Sequence, residues 1–219
     1  MINIRLSNIN DIRHFVSARR TQCYFESEIV AWVFVWYPEG ENIGHVSMLI
    51  GDLTMNSSYV SWWPINQVSG VRDLFSKGLS KRSAEFDKES NSLKYKTCSY
   101  TDDCLSEGNF PHVIYGLRTV NVHDMEAEWR KIVSKQKSSF IAINKNCASI
   151  VSRVLKAGLR NSLLKNRVFG VFGGEQYLWT PKRIAVVCNQ LRDNNVAWKI
   201  EMPGRASEKT LFKTIARLR

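Results

Sequence analysis

The sequence predicts an α+β fold, an antiparallel sheet packed against a helix that carries a cysteine at its N-terminus. Three observations lead there. Two β-prone runs, residues 29–37 and 46–50, flank the turn-like segment Pro38-Glu39-Gly40-Glu41-Asn42-Ile43-Gly44, the pattern of a hairpin. A further run, Tyr59-Val60-Ser61-Trp62-Trp63-Pro64, reads as a third strand ended by its proline. Last, Asn146-Cys147-Ala148-Ser149 runs directly into the apolar-periodic residues Ile150, Val151, Val154 and Leu155, a helix that stops at Gly158.

The remaining elements follow in chain order. Residues 1–27 read as a polar leader with a helix around 11–19. Residues 65–108 are rich in Ser, Lys and Asp with little periodicity, and read as an irregular insertion. Residues 113–117 form a short strand. Residues 122–135 form a helix with Met125, Trp129, Ile132 and Val133 on one face. Residues 140–143 form a strand that leads through Asn144-Lys145-Asn146 into the Cys147 helix. Thr180 and Pro181 make a helix start, as N-cap and first helical residue. Residues 205–219 carry Lys209, Lys213 and Arg217 every four residues, with Leu211, Phe212, Ile215 and Leu218 on another face, a short basic amphipathic helix. The chain, residues 1–219, is expected to be one catalytic domain with its core in about 28–200.

Composition narrows the class. Hydrophobic content of 44% and aromatic content of 11% exclude a disordered chain. No apolar run approaches the ~20 residues that span a bilayer. Residues 1–5 lack a basic region followed by an apolar stretch, so no cleavable signal peptide is visible, and export would need a specialised secretion machine. The five cysteines, Cys23, Cys98, Cys104, Cys147 and Cys188, lack metal-ligand spacing, so no metal is expected. Their odd number argues for reduced thiols. Cys98 and Cys104 are near enough in sequence to bridge. Cys188, inside an apolar run, belongs in the core.

Cys147 is the candidate nucleophile. In the first turn of a helix, unpaired N–H groups and the positive dipole end stabilise a thiolate. The plainer reading is a small buried cysteine. The candidate base is His45, which opens the second strand at the mouth of the sheet; its plainer reading is a hydrogen-bonded structural histidine. His112, after Pro111, is the reserve. His14 and His123 lie in polar, exposed helical segments.

Gly44-His45-Val46-Ser47, Tyr59-Val60-Ser61-Trp62-Trp63-Pro64, Asn146-Cys147-Ala148 and Leu178-Trp179-Thr180-Pro181, in that order, resemble a permuted papain-like cysteine enzyme. More closely, they resemble the Rho-inactivation domain of large bacterial toxins and the related secreted effector lysine fatty acyltransferases, over roughly residues 29–187. Histidine precedes cysteine, as that family requires. The resemblance implies a Cys-His-Asp site that transfers a long-chain fatty acyl group from acyl-coenzyme A, as co-substrate, to lysines of host small GTPases. Cys147 maps to the nucleophile and His45 to the base. The acidic stretch Tyr100-Thr101-Asp102-Asp103-Cys104-Leu105-Ser106-Glu107 points to Asp103 as the third residue, with Asp102 a near alternative and Asp87 a further one. For each aspartate the plainer reading is a solvated charge.

The same three residues could instead hydrolyse an amide or thioester, as a protease, amidase or deamidase, because water can replace lysine in deacylation. A third reading is non-enzymatic, a basic module binding lipid or nucleic acid. The net charge is +11 and the pI near 9.6. Zinc-finger, RNP-type and helix-turn-helix signatures are missing, so nucleic acid rests on charge alone. An anionic membrane surface would suit an enzyme that uses fatty acyl donors, each nearby Lys or Arg contributing about 1 kcal/mol.

Overall fold

In the computed structural model, the described residues are 8–20, 29–39, 43–53, 57–64, 78–82, 85–87, 92–94, 99–134, 139–141, 145–170 and 178–204. Strands β1 (Ile29–Trp36), β2 (His45–Ile50), β3 (Ser58–Val60), β8 (Val113–Arg118) and β10 (Ala197–Glu201) form an antiparallel sheet in the order β10-β8-β1-β2-β3. The β1–β2 hairpin is in register from Ala31↔Ile50 to Trp36↔His45.

Strand β1 is apolar throughout because both of its faces are covered. Ala31, Val33 and Val35 join one core with helices α3 (Val122–Val133), α4 (Cys147–Gly158), α5 (Ser162–Gly170) and α6 (Pro181–Asp193). Trp32, Phe34 and Trp36 join a second core with α1 (Ile9–Arg20) and α2 (Tyr100–Ser106). Successive side chains point to opposite faces of a strand, so a centre strand covered on both sides needs no polar positions. Each large apolar side chain buried this way contributes about 1.5–3 kcal/mol. The sheet is therefore packed between helical layers, rather than against one helix.

The first helix is not a detached leader, since Ile12 and Val16 are wholly buried in the second core. The helix over 122–133 buries Met125, Trp129, Ile132 and Val133, the face that periodicity predicts. It crosses α4 closely. A Cβ on Gly158 would lie 2.5 Å from Met125 Cγ, so any larger residue would force the buried Met125 side chain to move.

The segment 65–108 departs from expectation. It contains β5 (Gly78–Arg82), β6 (Glu85–Asp87), β7 (Ser92–Lys94) and α2. β5 pairs with β4 (Trp62–Pro64) and β9 (Ser139–Phe140) in a second sheet, and β6 pairs with β7. Short polar strands on small sheets lack the apolar alternation that would betray them. The run 59–64 is likewise two strands: β3 stays on the main sheet and β4 leaves it. Cys104 is buried and outside any disulfide, and Cys188 is wholly buried in the first core. The basic tail 205–219, with Lys209, Lys213 and Arg217, lies outside the described residues.

Candidate functional site

Cys147 is the first residue of α4. Asn146 is its N-cap and accepts from the Ser149 backbone N–H at 2.9 Å, while the Ser149 hydroxyl reaches back to the Asn146 N–H. This capping box fixes where the helix begins, and thus where the sulfur sits. Asn146 also donates its Nδ2–H to the Trp179 carbonyl at 2.9 Å, which ties the helix start to the segment before α6. The box uses the Ser149 N–H and leaves those of Cys147 and Ala148 outside its bonds. Cys147 is outside any disulfide and buried, with 9% of the residue exposed.

His45 is the first residue of β2 and is 1% exposed. Gly44 places it there. Its φ is +80°, and a Cβ at that position would fall 2.7 Å from the Trp36 carbonyl oxygen. Cys147 lies close enough to the His45 ring to raise the imidazole pKa through its charge and hydrogen bonding. Its Nε2 lies 3.2 Å from Asp103 Oδ2 and 3.1 Å from Ser61 Oγ. Burial pushes the imidazole pKa down, but the charges of Asp103 and Cys147 and their hydrogen bonds outweigh it, and the value rises to about 10.

Asp103 comes from the opposite helical layer. Ser99 caps α2, and the Asp102 carboxylate completes that capping box by accepting from the Ser99 N–H at 2.7 Å. Asp102 therefore serves the helix end, and Asp103, one residue on, turns inward. Asp103 is completely buried. Besides His45, it accepts from Tyr59 OH at 2.5 Å, Ser61 Oγ at 2.8 Å and Trp63 Nε1 at 2.8 Å. Tyr59 in turn is 2.6 Å from Ser47 Oγ. Burial raises the carboxyl pKa, but His45 and the hydrogen bonds from His45, Tyr59 and Trp63 more than offset it, so the group stays ionised below its ordinary range. A fully buried carboxylate is tolerable only with partners of this kind.

The structure thus brings together Cys147, His45 and Asp103. The other candidates fall elsewhere. His112 is buried, and its Nδ1 accepts the Tyr37 backbone N–H at 3.0 Å, a structural role at the hairpin. His14 and His123 are exposed. Asp87 lies on β6, on the two-stranded sheet.

Tyr59, Ser61 and Trp63 escaped sequence reasoning. The signal was present: in extended chain, residues two apart share a face, so all three present hydroxyl or N–H groups to one side. Trp62 takes the other side, buried in the first core edge-on to Trp129, ring centroids 6.4 Å apart. Trp63 is half-buried and stacks on His45.

A cysteine and a buried carboxylate next to one buried imidazole are groups that thiol nucleophilic chemistry can use. The fold is α+β, and Cys147, His45 and Asp103 come near one another from α4, β2 and α2. The IcsB middle domain family matches residues 88–209, more than half of the chain, and the chain belongs to that family, one of bacterial secreted effectors. The matched stretch contains Asp103 and Cys147, and His45 precedes it. No curated protein and no solved structure matches the chain.

Proposed function

We propose that this effector-family protein is a thiol acyltransferase of permuted papain-like type. The observation that carries the reading is that one buried imidazole, His45, bonds the Asp103 carboxylate and has Cys147 beside it, near enough to raise its pKa. His45 takes the thiol proton, and the Asp103 carboxylate stabilises the imidazolium that forms. The sulfur attacks the thioester carbonyl of a fatty acyl-coenzyme A, a new S–C bond forms, and coenzyme A departs with the proton from His45. A lysine amine of the target then attacks the Cys147 thioester. His45 accepts the amine proton and returns it to the departing sulfur, giving an amide. The Cys147 and Ala148 N–H groups, outside the capping box at the positive end of α4, would hold the oxyanion. Membership in an effector family supports action inside a target cell after specialised secretion, with host small GTPases as the acceptor class to try first.

The test is intact-mass analysis after incubation with a long-chain acyl-coenzyme A, with and without candidate GTPases. The wild type should carry one acyl mass on Cys147 and pass it to lysine. Cys147→Ala should do neither. Peptide or glutamine turnover without any thioester would place the same residues in a hydrolase. Full acylation by Cys147→Ala would end both readings.

A further inference from the structure

The positive charge is not spread over the molecule. Residues 145–183 hold eight Lys or Arg and one acidic residue, and residues 205–219 hold five and one. Everything else is balanced, with 18 of each sign. The whole excess of +11 therefore resides in these two segments. The first builds α4, α5 and the start of α6, the helical layer on one side of the sheet.

The same layer carries a second unusual feature. Among the described residues, five large apolar side chains are exposed, and three belong to this layer: Leu163 at 80%, Leu178 at 47% and Val186 at 37%. None of the five is aromatic. On α5, Leu163 and Arg167 are four residues apart and both exposed, and exposed Arg160 lies just before the helix. On α6, Lys182 and Val186 are also four apart, and Leu178 lies just before that helix. Residues four apart share a helix face, so each helix pairs a cation with an outward aliphatic side chain.

We propose that the outer face of α5 and the start of α6 is a docking surface for an anionic lipid bilayer. Cations draw such a surface to acidic headgroups, and aliphatic side chains beside them enter the acyl boundary. Nucleic acid would use the cations but has no use for exposed leucines, and base stacking would call for exposed aromatics, which this face lacks among its described residues. The proposal does not depend on the chemistry at Cys147.

The experiment is sedimentation of the full chain with vesicles of phosphatidylcholine alone or with one third phosphatidylserine. Binding should require phosphatidylserine and fall with salt. Arg160→Glu with Arg167→Glu should weaken it on the order of tenfold or more, since each nearby cation contributes about fivefold. Leu163→Ser should weaken it severalfold even at low salt, which a purely electrostatic contact would not show. Arg13→Glu, exposed on α1 across the sheet, should change binding less than twofold. Unaltered iodoacetamide labelling of Cys147 checks that each variant is folded. Equal binding by wild type and the double variant would overturn the proposal. So would tighter binding to RNA than to phosphatidylserine vesicles with no effect of Leu163→Ser.

Discussion

Trp63 lies flat on His45, ring centroids 4.2 Å apart and planes 20° from parallel, while its indole N–H donates to Asp103, the carboxylate that holds the same imidazole. One side chain thus fixes the plane of the histidine and the position of its partner. It also covers the His45–Asp103 bond, and a charged hydrogen bond screened from water is stronger than an exposed one.

Two substitutions separate these roles of Trp63. Trp63→Phe retains an aromatic face over His45 and loses the N–H to Asp103. Deleting a hydrogen bond to a charged group costs about 1.5–3 kcal/mol. Urea unfolding should show that loss, and the acyl-transfer rate should fall about tenfold. Trp63→Ala also uncovers the ring and should fall further, by about a hundredfold, as for a lost general acid–base geometry. Equal rates in all three proteins would show that the indole only fills space.

Asp103→Asn tests what keeps the imidazole charged. Burial alone drives the His45 pKa down, and the neighbouring carboxylate heads the influences that raise it. In the wild type the His45 NMR signal should be that of an imidazolium at pH 7. In Asp103→Asn it should be that of a neutral imidazole, with the acyl-transfer rate reduced by about 10²–10⁴-fold. Asp102→Asn should leave the imidazole signal unchanged, because Asp102 caps α2. An imidazolium at pH 7 in Asp103→Asn would mean that the carboxylate is not its partner in solution.

Gly44 sets the entry to the site. Its left-handed φ of +80° and the 2.7 Å approach to the Trp36 carbonyl leave no room for a side chain. Gly44→Ala should destabilise the protein by about 1–3 kcal/mol through backbone strain. The next residue is His45, so the acyl-transfer rate should drop more than stability alone explains. Thermal unfolding and kinetics at a temperature where the variant is fully folded separate the two effects. Wild-type turnover from such a variant would show that the hairpin end adjusts without moving the ring.

Several of these features were legible in the sequence, for identifiable reasons. Cys147 announced itself through local chemistry, an N-cap asparagine followed by a periodic helix, and local rules govern caps. The hairpin carrying His45 has strong punctuation at Pro38 and Gly44. Asp103 was harder: only the three-dimensional return of α2 to the sheet separates it from Asp102, one residue away. The helix of α5 and strand β10 were missed because neither has clean periodicity. Ala197–Glu201 runs Ala-Trp-Lys-Ile-Glu, and its Lys199 and Glu201 pair with each other at the rim. The donors Tyr59, Ser61 and Trp63 needed a carboxylate to aim at before their common face had meaning.

The buried pair also predicts how stability depends on pH. His45 rises from an ordinary 6.5 to about 10 on folding, so its contribution is complete below 6.5 and lost as pH rises through 10. Asp103 falls below its ordinary 3.8, so its contribution is present above 3.8 and lost as pH falls through the lower folded value. The two windows overlap between 3.8 and 6.5, where the pair stabilises the fold most. Urea unfolding of the wild type and Asp103→Asn at a series of pH values isolates the pair, since most other titrating groups are common to both. The stability gap should be widest near pH 4–6.5 and should close toward pH 10, with a slope that approaches ~1.4 kcal/mol per pH unit for one proton. A gap that stays constant from pH 5 to pH 10 would mean that the Asp103 carboxylate does not hold a proton on His45 through the neutral range, so that no charged pair forms at rest.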